Sequence, residues 1–449
     1  MSDGRMARRK SRPGGMHAIT RFGKDGIMNQ LQKINGILNT TFASLKYKDF
    51  RYFWFGQCIS LTGTWIQRTA QVWLVYTLTK SPLLVGLLGV CQFLPMLLFS
   101  LFAGVLVDRF PKKKILLATQ TIFMLQAFVL TGLTYFNLVQ YWHVFILSAL
   151  FGLTQTLDMP ARQAFFIEMV GKKDLMNAIS LNSTIVNLAK IVGPAVSGLT
   201  YLAFGPVICF LVNGLSYIAV LWGMLLISTP DRVIQRERRN VLQEIKEGIG
   251  YIRQNETLVY NVLAMAIVCT FAMNNDVLLP VFAKTALGKG ATGYTMLMTA
   301  AGVGSLCAAL VMANISRNGI KKELLIIDAL AVSALLIGTG LTRVYWLSII
   351  LVAAVGFVNL TFINTANSIF QLNSTDEYRG RVMSVYAFLN QGSTPLGNFF
   401  AGTVMEHFGG GAGFLACGLT TLLLIIPLIL KLRSRMKLAP RPEVKQVSN

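Results

Sequence analysis

The stretch Gly104-Val-Leu-Val-Asp108-Arg109-Phe-Pro-Lys112-Lys113-Lys114 decides the fold, because it places one acid and four bases between two long apolar runs. The run before it, 82–107, and the run after it, 115–136, are each long enough to cross a bilayer, which takes about 20 apolar residues. A turn this short and this charged between two such helices must lie at a membrane face. The stretch therefore predicts a chain that crosses the membrane repeatedly.

The composition of the whole chain supports a helical membrane protein. Hydrophobic residues make up 54% of the 449 residues and charged residues only 13%, whereas soluble domains carry roughly 25% charged residues. The apolar runs are continuous, while a transmembrane β-barrel shows alternating segments of about 10 residues. We therefore predict an all-α polytopic membrane protein.

Twelve apolar segments predict twelve transmembrane helices in two six-helix bundles. The first six are 51–78, 82–107, 113–136, 141–169, 174–203 and 205–227. The second six are 257–284, 291–316, 323–342, 345–372, 379–407 and 412–432. The predicted domains are a basic tail over 1–50, a first bundle over 51–227, a linker over 228–256, a second bundle over 257–432 and a tail over 433–449.

The two bundles are related in sequence. A shift of 204 residues places Gly193 on Gly397 and Gly198 on Gly402, and a shift of 208 residues places Arg109 on Arg317. The second-half turn over 317–322 has Ser316 where the first half has its aspartate, so we expect the two turns to act differently. Repeated bundles of this kind place the substrate site between the halves.

The distribution of the positive charge predicts the orientation. The formal net charge is +22, and the bases concentrate in both tails and in every second loop, which marks those segments as cytoplasmic. Both termini are therefore expected on the cytoplasmic side. In the linker, apolar residues at Val241, Ile245, Ile249 and Ile252 predict an amphipathic helix at that face. No basic stripe carries interleaved aromatic residues, so we expect no nucleic-acid partner.

The sequence shows no constellation for catalysis or for metal binding. All six cysteines lie within apolar runs and none forms a C-x-x-C pair, which excludes the usual disulfide and zinc patterns. The three histidines are scattered, and neither a P-loop nor a nucleophile elbow is present. We therefore expect no enzyme, no ATP-driven pump, no metal and no cofactor.

Three charged residues lie well inside the predicted spans and are candidates for a cavity between the bundles. They are Arg68, Lys190 and Asp276. A charge at membrane depth costs about 2.5–3.5 kcal/mol on insertion scales, so it usually faces a cavity or a partner. Arg68 and Asp276 are equivalent under the 208-residue shift, which predicts an ion pair or a proton and substrate site. A structural pair of constant protonation, and a lysine that only packs, are the alternatives.

Two further clusters of charge lie near the cytoplasmic face. In the first, Gly104 allows close helix approach, and Asp108 can pair with bases or with a helix N-terminus; Arg109, Lys112 and Lys113 complete this cluster. In the second, Asp158 can pair with Arg109 or Arg162. The alternatives are a simple basic turn for the first cluster and a solvated charge pair at a helix end for the second.

Several motifs resemble one branch of the major facilitator superfamily, the branch of the enterobactin exporter and the macrolide-efflux proteins. They are Gly63-Thr-Trp65-Ile-Gln67-Arg68, Gly104-Val-Leu-Val-Asp108-Arg109, Pro160-Ala-Arg162-Gln163, Leu278-Leu-Pro280 and Gly290-Ala-Thr-Gly293. The resemblance covers about residues 45–432. It implies a bacterial cytoplasmic-membrane protein that exports siderophores, macrolides or other amphiphiles in exchange for protons.

The same resemblance assigns roles to two motifs. The Gly104–Lys114 turn is similar to the superfamily's cytoplasmic loop motif, which implies a releasable clamp. Gly193-Pro194-Ala-Val-Ser197-Gly198 resembles a helix-five motif of exporters, where a kink and tight packing prevent leakage. The expected partners are a small-molecule substrate, protons and the lipid bilayer, and the expected state is a monomer. A metabolite uniporter or importer, and a transport-inactive sensor or assembly protein, remain alternatives.

Overall fold

The computed structural model describes residues 42–228, 241–315 and 323–438. Four stretches lie outside these described residues: 1–41, 229–240, 316–322 and 439–449. Most of the predicted N-terminal tail, the first part of the linker, the second-half turn and the end of the C-terminal tail therefore receive no structural account. We call 42–228 the first half and 241–438 the second half.

The described chain is built from helices. In the first half, α1 is Lys48–Thr79, α2 is Pro82–Arg109, α3 is Lys112–Tyr135, and Tyr141–Leu225 is one long element made of α4 (141–170), α5 (172–204) and α6 (206–225). In the second half, the helices are α7 (Val241–Gln254), α8 (Glu256–Phe271), α9 (Asn275–Thr285), α10 (Ala291–Ile315), α11 (Glu323–Leu341), α12 (Tyr345–Leu372), α13 (Asp376–Gly392), α14 (Thr394–Phe408) and α15 (Gly410–Leu438).

Glycines separate the three helices of the long element. Gly171 has φ 70° and Gly205 has φ 74°, a backbone conformation that residues with a Cβ rarely adopt. These breaks lie within two residues of the ends predicted at 169 and 203. Two other predicted spans are interrupted: 257–284 contains the break between α8 and α9, and 379–407 is divided at Ser393.

The helices suit a membrane. Within the described ranges, eight helical elements are long and apolar enough to cross a bilayer, and one of them is the long element that contains α4, α5 and α6. Each of the twelve predicted segments falls on helical residues over most of its described length. The chain is thus an all-α polytopic protein, while the number of twelve crossings stays a prediction.

The connections divide between two ends of the bundle. One end, which we call the far end, carries 80–81, 136–140, 286–290 and 342–344. The opposite end, the linker end, carries 110–111, Gly171, 373–375 and α7. There, α7 packs on α13: Tyr251 stacks on Tyr378 with ring centroids 4.6 Å apart, and Glu247 lies 2.9 Å from Arg381.

A short 3-10 helix, Ala43–Lys46, is bound to the start of α5 at the linker end. The Ser44 backbone N–H donates to Asn177 Oδ1 at 2.9 Å, and the Ser44 hydroxyl donates to the Asp174 carbonyl at 3.0 Å. The Tyr47 hydroxyl donates to Asp174 Oδ2 at 2.8 Å, and Lys46 Nζ lies 2.6 Å from the same oxygen. The hydrogen bond to Asp174 raises the pKa of Lys46 above its ordinary value of 10.5.

We expect Asp174→Ala to lower the melting temperature of the purified protein in detergent by more than Lys46→Ala does. The lysine side chain is 54% exposed, and exposed ion pairs contribute little to stability, whereas the aspartate also accepts a hydrogen bond from the Tyr47 hydroxyl. Because the pKa of Lys46 is raised, its contribution persists through neutral pH and is lost only above about pH 10.5. Equal losses in the two variants would contradict this account.

Candidate functional site

An ion pair joins the two halves near the far end. Arg68 on α1 pairs with Asp276 on α9. The break after α8 places Asp276 in the first turn of α9, where the helix dipole favours a negative charge. The side chains of Arg68 and Asp276 are 23% and 27% exposed, so the pair is partly shielded from water. The two residues that the 208-residue shift relates are thus in direct contact.

Aromatic and apolar side chains surround this pair. The Arg68 guanidinium lies 5.0 Å from the ring centroid of Trp65 and 5.3 Å from that of Phe93, within the range of cation–π attraction. A small cavity opens beside the pair, and residues of both halves line it: Arg68, Val72, Val85, Leu88, Gly89, Gln92, Asp276, Val277 and Asn398. One acid and one base therefore meet in a mostly apolar pocket.

Lys190 also lies close to Trp65. Its ammonium is 5.8 Å from the centroid of the Trp65 ring, so Arg68 and Lys190 both lie close to one indole. Lys190 stands midway along α5 and is nevertheless exposed. The three charged residues that sequence analysis singled out as cavity candidates are thus gathered in one region between the halves.

The halves also meet along two glycine-lined helix interfaces. Between α2 and α14, a Cβ at Gly402 would lie 3.0 Å from the Pro82 carbonyl oxygen and 3.2 Å from Gly86 Cα. Between α5 and α10, a Cβ at Gly302 would lie 3.1 Å from Ile191 Cα, and Gly198 contacts Thr295. A side chain at Gly302 or Gly402 would clash with the backbone of the facing helix, and one at Gly198 would clash with the Thr295 side chain. These glycines therefore allow the helices to approach closely. Gly86, Gly198 and Gly402 lie in the far halves of their helices.

Two more contacts across the halves lie at the far end. The rings of Trp73 and Tyr294 stack with centroids 5.7 Å apart. Glu406, near the end of α14, accepts hydrogen bonds from the Ser81 hydroxyl at 2.7 Å and from the Leu83 backbone N–H at 3.0 Å. Glu406 therefore places a negative charge at the N-terminus of α2, where the helix dipole favours it. Sequence analysis did not identify Glu406, because its partner lies more than 300 residues away in the chain.

The helix-five motif packs against both halves. Gly193 contacts Trp65, and a Cβ there would lie 3.3 Å from the Ile66 backbone nitrogen. The Ser197 hydroxyl donates to the Ile66 carbonyl at 3.0 Å. Pro194 has no N–H, so the carbonyl of Lys190, one turn earlier on α5, receives no helical hydrogen bond from it. Gly302 of α10 lies against that carbonyl. The motif thus fits α5 between α1 and α10, beside the candidate cavity.

Asp158 is the centre of a polar network at the linker half of the first bundle. It is only 3% exposed and accepts hydrogen bonds from Thr119 and Gln120 of α3, each at 2.8 Å. Arg162, one turn along α4, pairs with Asp158 and donates to Gln57 of α1. Of the two bases that sequence analysis offered, Arg162 is the partner seen, and these contacts all stay within the first half.

The Gly104–Lys114 turn ends α2 and begins α3 at the linker end. Arg109 is exposed, Lys112 is buried, and Lys113 Nζ donates to the Ile227 carbonyl at 2.8 Å. Lys113 thereby supplies a cation close to the C-terminus of α6, where the helix dipole favours it. The side chain of Asp108 and the surroundings of Gly104 are outside what the structure describes, so the clamp remains a prediction.

Besides Asp158 and Asp276, Asp328 is an acid within a predicted span, and it was not identified from the sequence. It is 5% exposed on α11, beside Thr361 of α12, and one of its carboxylate oxygens has no hydrogen-bond partner. It lies five residues after the predicted start of its span at residue 323. From the sequence alone, a charge so close to the end of a span is ordinary, because the end of a span lies near the membrane surface. In the described part of the chain, no cluster of His, Cys, Asp and Glu could hold a metal ion.

We expect Glu406→Ala to open the far end. The variant removes the acceptor that joins α14 to the N-terminus of α2, so the halves separate more often and expose the buried Leu88 in the cavity. A cysteine at position 88 should then react several-fold faster with a membrane-impermeant maleimide added at the far side. Thr403→Ala is the matched control, since that exposed threonine bonds only within its own helix. An unchanged rate would refute the role of Glu406.

We expect Asp158 and Arg162 to be strongly coupled in stability. Asp158→Ala leaves a buried guanidinium without its carboxylate, which typically costs about 3–5 kcal/mol. The double variant with Arg162→Ala should lose much less stability than the sum of the two single variants. Thermal unfolding in detergent measures all four proteins of this cycle, and additive losses would show that the two side chains act independently.

Comparison with known proteins agrees with this architecture. A family model described as transmembrane secretion effector matches residues 39–447. The staphyloferrin A transporter of Staphylococcus aureus is 24% identical over 382 residues, covering 83% of this chain and 93% of that protein. Macrolide efflux protein A of Streptococcus pyogenes is 23% identical over 390 residues, covering 85% of this chain and 94% of that protein.

Solved structures share the fold at low identity. A bacterial homologue of the lysosomal transporter Spinster, in an inward-facing state, aligns with a TM-score of 0.66 at 13% identity, covering 88% of this chain and 99% of that one. A variant of a nucleoside transporter aligns with a TM-score of 0.68 at 13% identity, covering 86% and 99%. Because the family match spans nearly the whole chain, this multi-pass membrane protein belongs to the transmembrane secretion effector family of the major facilitator superfamily, and it is a transporter rather than an enzyme.

Proposed function

We propose that the protein is a secondary active exporter of small amphiphilic molecules, siderophores or macrolide-like drugs, which works by proton antiport and alternating access. Its two bundles would sit in a bacterial cytoplasmic membrane with both termini in the cytoplasm, so the far end faces outward. The observation that carries the proposal is the Arg68–Asp276 ion pair, which links the halves beside a cavity. Efflux and siderophore transport among the relatives support the cargo class.

The ion pair offers a physical link between proton binding and closure. A proton on Asp276 removes its negative charge, and Arg68 then loses its partner. Because both side chains are about one quarter exposed, the loss costs on the order of 1–3 kcal/mol, less than for a fully buried pair. That is enough to shift a two-state equilibrium about 5- to 150-fold.

The other contacts between the halves support a state in which the far end is closed. With Arg68 paired, the halves touch along α2–α14 and α5–α10, at Trp73–Tyr294 and at Glu406, so the route to the far end is closed. In the proposed cycle, Asp276 is protonated from the far side when these contacts are apart. Return to the present state releases the proton toward the linker end, because Arg68 again stabilises the carboxylate.

The test of the exporter function is flux. We expect the purified protein in proteoliposomes to move a macrolide or a siderophore against its gradient when a pH gradient is imposed across the membrane. No flux with any member of a macrolide and siderophore panel would favour the transport-inactive sensor or assembly protein. Flux in both directions that ignores the pH gradient would favour a uniporter or importer.

We expect Asp276→Asn to abolish accumulation driven by the pH gradient, by at least about tenfold, while cargo still exchanges down its own gradient. The asparagine keeps the shape of the side chain but cannot be ionised, so residue 276 no longer binds and releases a proton during the transport cycle. Glu323→Gln is the control, since that exposed acid lies at the start of α11, away from the cavity. Undiminished proton-driven accumulation in Asp276→Asn would remove Asp276 from the coupling step.

A further inference from the structure

The charges around Trp65 do not balance. Arg68 is neutralised by Asp276, whereas Lys190, close to the same indole, forms no ion pair with any described acid. The group of Arg68, Lys190 and Asp276 around Trp65 therefore carries one surplus positive charge. An uncompensated charge at membrane depth is costly and usually marks a ligand or ion pathway.

The contacts of Lys190 show where its side chain lies. Its ammonium lies over the ring of Trp65 from α1, near Arg68 and Asp276, and its carbonyl lies against Gly302 of α10. The side chain is thus directed into the space between the halves. Lys190 is exposed as a residue, so its side chain is not enclosed by packing on every side.

A polar stripe on α5 leads from the linker end to Lys190. Ser180, Ser183 and Thr184 are exposed, and Asn187 is half-buried, at the spacing of one helix face. The side chains of Ser180, Thr184 and Asn187 donate only to carbonyls one turn back on α5. Among the described residues, no neighbouring helix binds these side chains, so they form a hydrophilic surface that ends near the Lys190 ammonium.

From these observations we infer that Lys190, with Arg68 and the indole of Trp65, forms a subsite for an acidic group of the cargo, and that the cargo is an amphiphile bearing a carboxylate beside a flat apolar part. This inference rests on the proposed export function and narrows its substrate class. A single carboxylate in the subsite would balance Arg68, Lys190 and Asp276 to zero net charge. Trp65, Phe93 and Val72 supply the apolar surface, while a cationic amphiphile would meet two like charges.

The two cations have different parts in this subsite. Lys190 is unpaired in the present state and attracts the acidic group without breaking an existing contact. Arg68 already holds Asp276, so a cargo carboxylate that reaches Arg68 competes with Asp276 for the guanidinium, whose planar fork suits either carboxylate. Cargo binding from the linker end would therefore weaken the ion pair that links the halves, and binding promotes opening of the far end.

The test compares two probes of the same shape and different charge. Naphthalene-1-acetate and naphthalene-1-acetamide are titrated against the purified full-length protein in detergent, and binding is followed by the shift in melting temperature. We expect the carboxylate to bind at least tenfold more tightly than the amide. Lys190→Gln should reduce the affinity for the carboxylate about tenfold and leave that for the amide unchanged, while Lys190→Arg retains the preference.

A matched control separates this subsite from lysine chemistry in general. Lys289 lies 5.3 Å from the ring centroid of Tyr345 at the far end, so Lys289→Gln removes another lysine over an aromatic ring, outside the cavity. We expect this variant to bind both probes like the unaltered protein. A loss of carboxylate binding in Lys289→Gln would show a nonspecific charge effect and would overturn the assignment.

The outcomes distinguish the subsite from the export function. Equal affinity for both probes, no binding of the carboxylate, or an unchanged affinity in Lys190→Gln would each refute the anionic subsite, even if the proteoliposomes export cargo. Charge-selective binding that depends on Lys190 would support the subsite even if no flux were seen, and in that case the exporter function alone would fail.

Discussion

The Arg68–Asp276 ion pair is the interaction on which the closed far end depends, because it is the one charged contact described between α1 of the first half and α9 of the second. Around it, α2 meets α14 and α5 meets α10 over glycines, so the helices approach as closely as their backbones allow. Glycine interfaces gain from van der Waals packing but carry no charge that protons can remove. We propose that the ion pair responds to pH and to a charged cargo, and that the Glu406 carboxylate at the N-terminus of α2 is the other charge of the closure that a proton could remove.

The linker end is organised differently. The buried Asp158 joins α1, α3 and α4 through Gln57, Thr119, Gln120 and Arg162. The 3-10 helix Ala43–Lys46 and the adjoining Tyr47, which precede α1, are bound to the start of α5. These networks stabilise the first bundle as a unit and do not join the halves to each other. A rigid first half, linked to the second mainly near the far end, is the arrangement that lets two bundles rock about a central site.

Much of this arrangement could be predicted from sequence. The apolar runs and the charged turns indicated the helices and their ends, and the internal repeat related Arg68 to Asp276 before their contact was seen. The interruption between α8 and α9 could not be predicted, because the break at 272–274 contains neither glycine nor proline, and Pro280 lies several residues further along, inside α9. Glu406 and Asp328 were missed because their importance comes from partners on other helices, at Ser81 and Thr361, which spacing along one helix does not reveal.

The charges in the cavity connect the proposed coupling with the proposed cargo. We propose that Asp276 makes the closed state sensitive to protons and that Lys190 attracts an acidic cargo. Both effects act through Arg68, which can hold one carboxylate well at a time. Proton binding and cargo binding thus act on the same contact from opposite sides of the membrane, as alternating access requires.

The most direct test of this account is a distance measurement at the far end by pulsed electron paramagnetic resonance, with spin labels at Leu138 of the first half and Lys289 of the second, both exposed loop positions. If the ion pair holds the far end closed, acidification should shift the unaltered protein from a short to a longer distance, and Asp276→Asn should show the longer distance at every pH. A distribution that is identical at neutral and acidic pH, and unchanged in Asp276→Asn, would contradict the account.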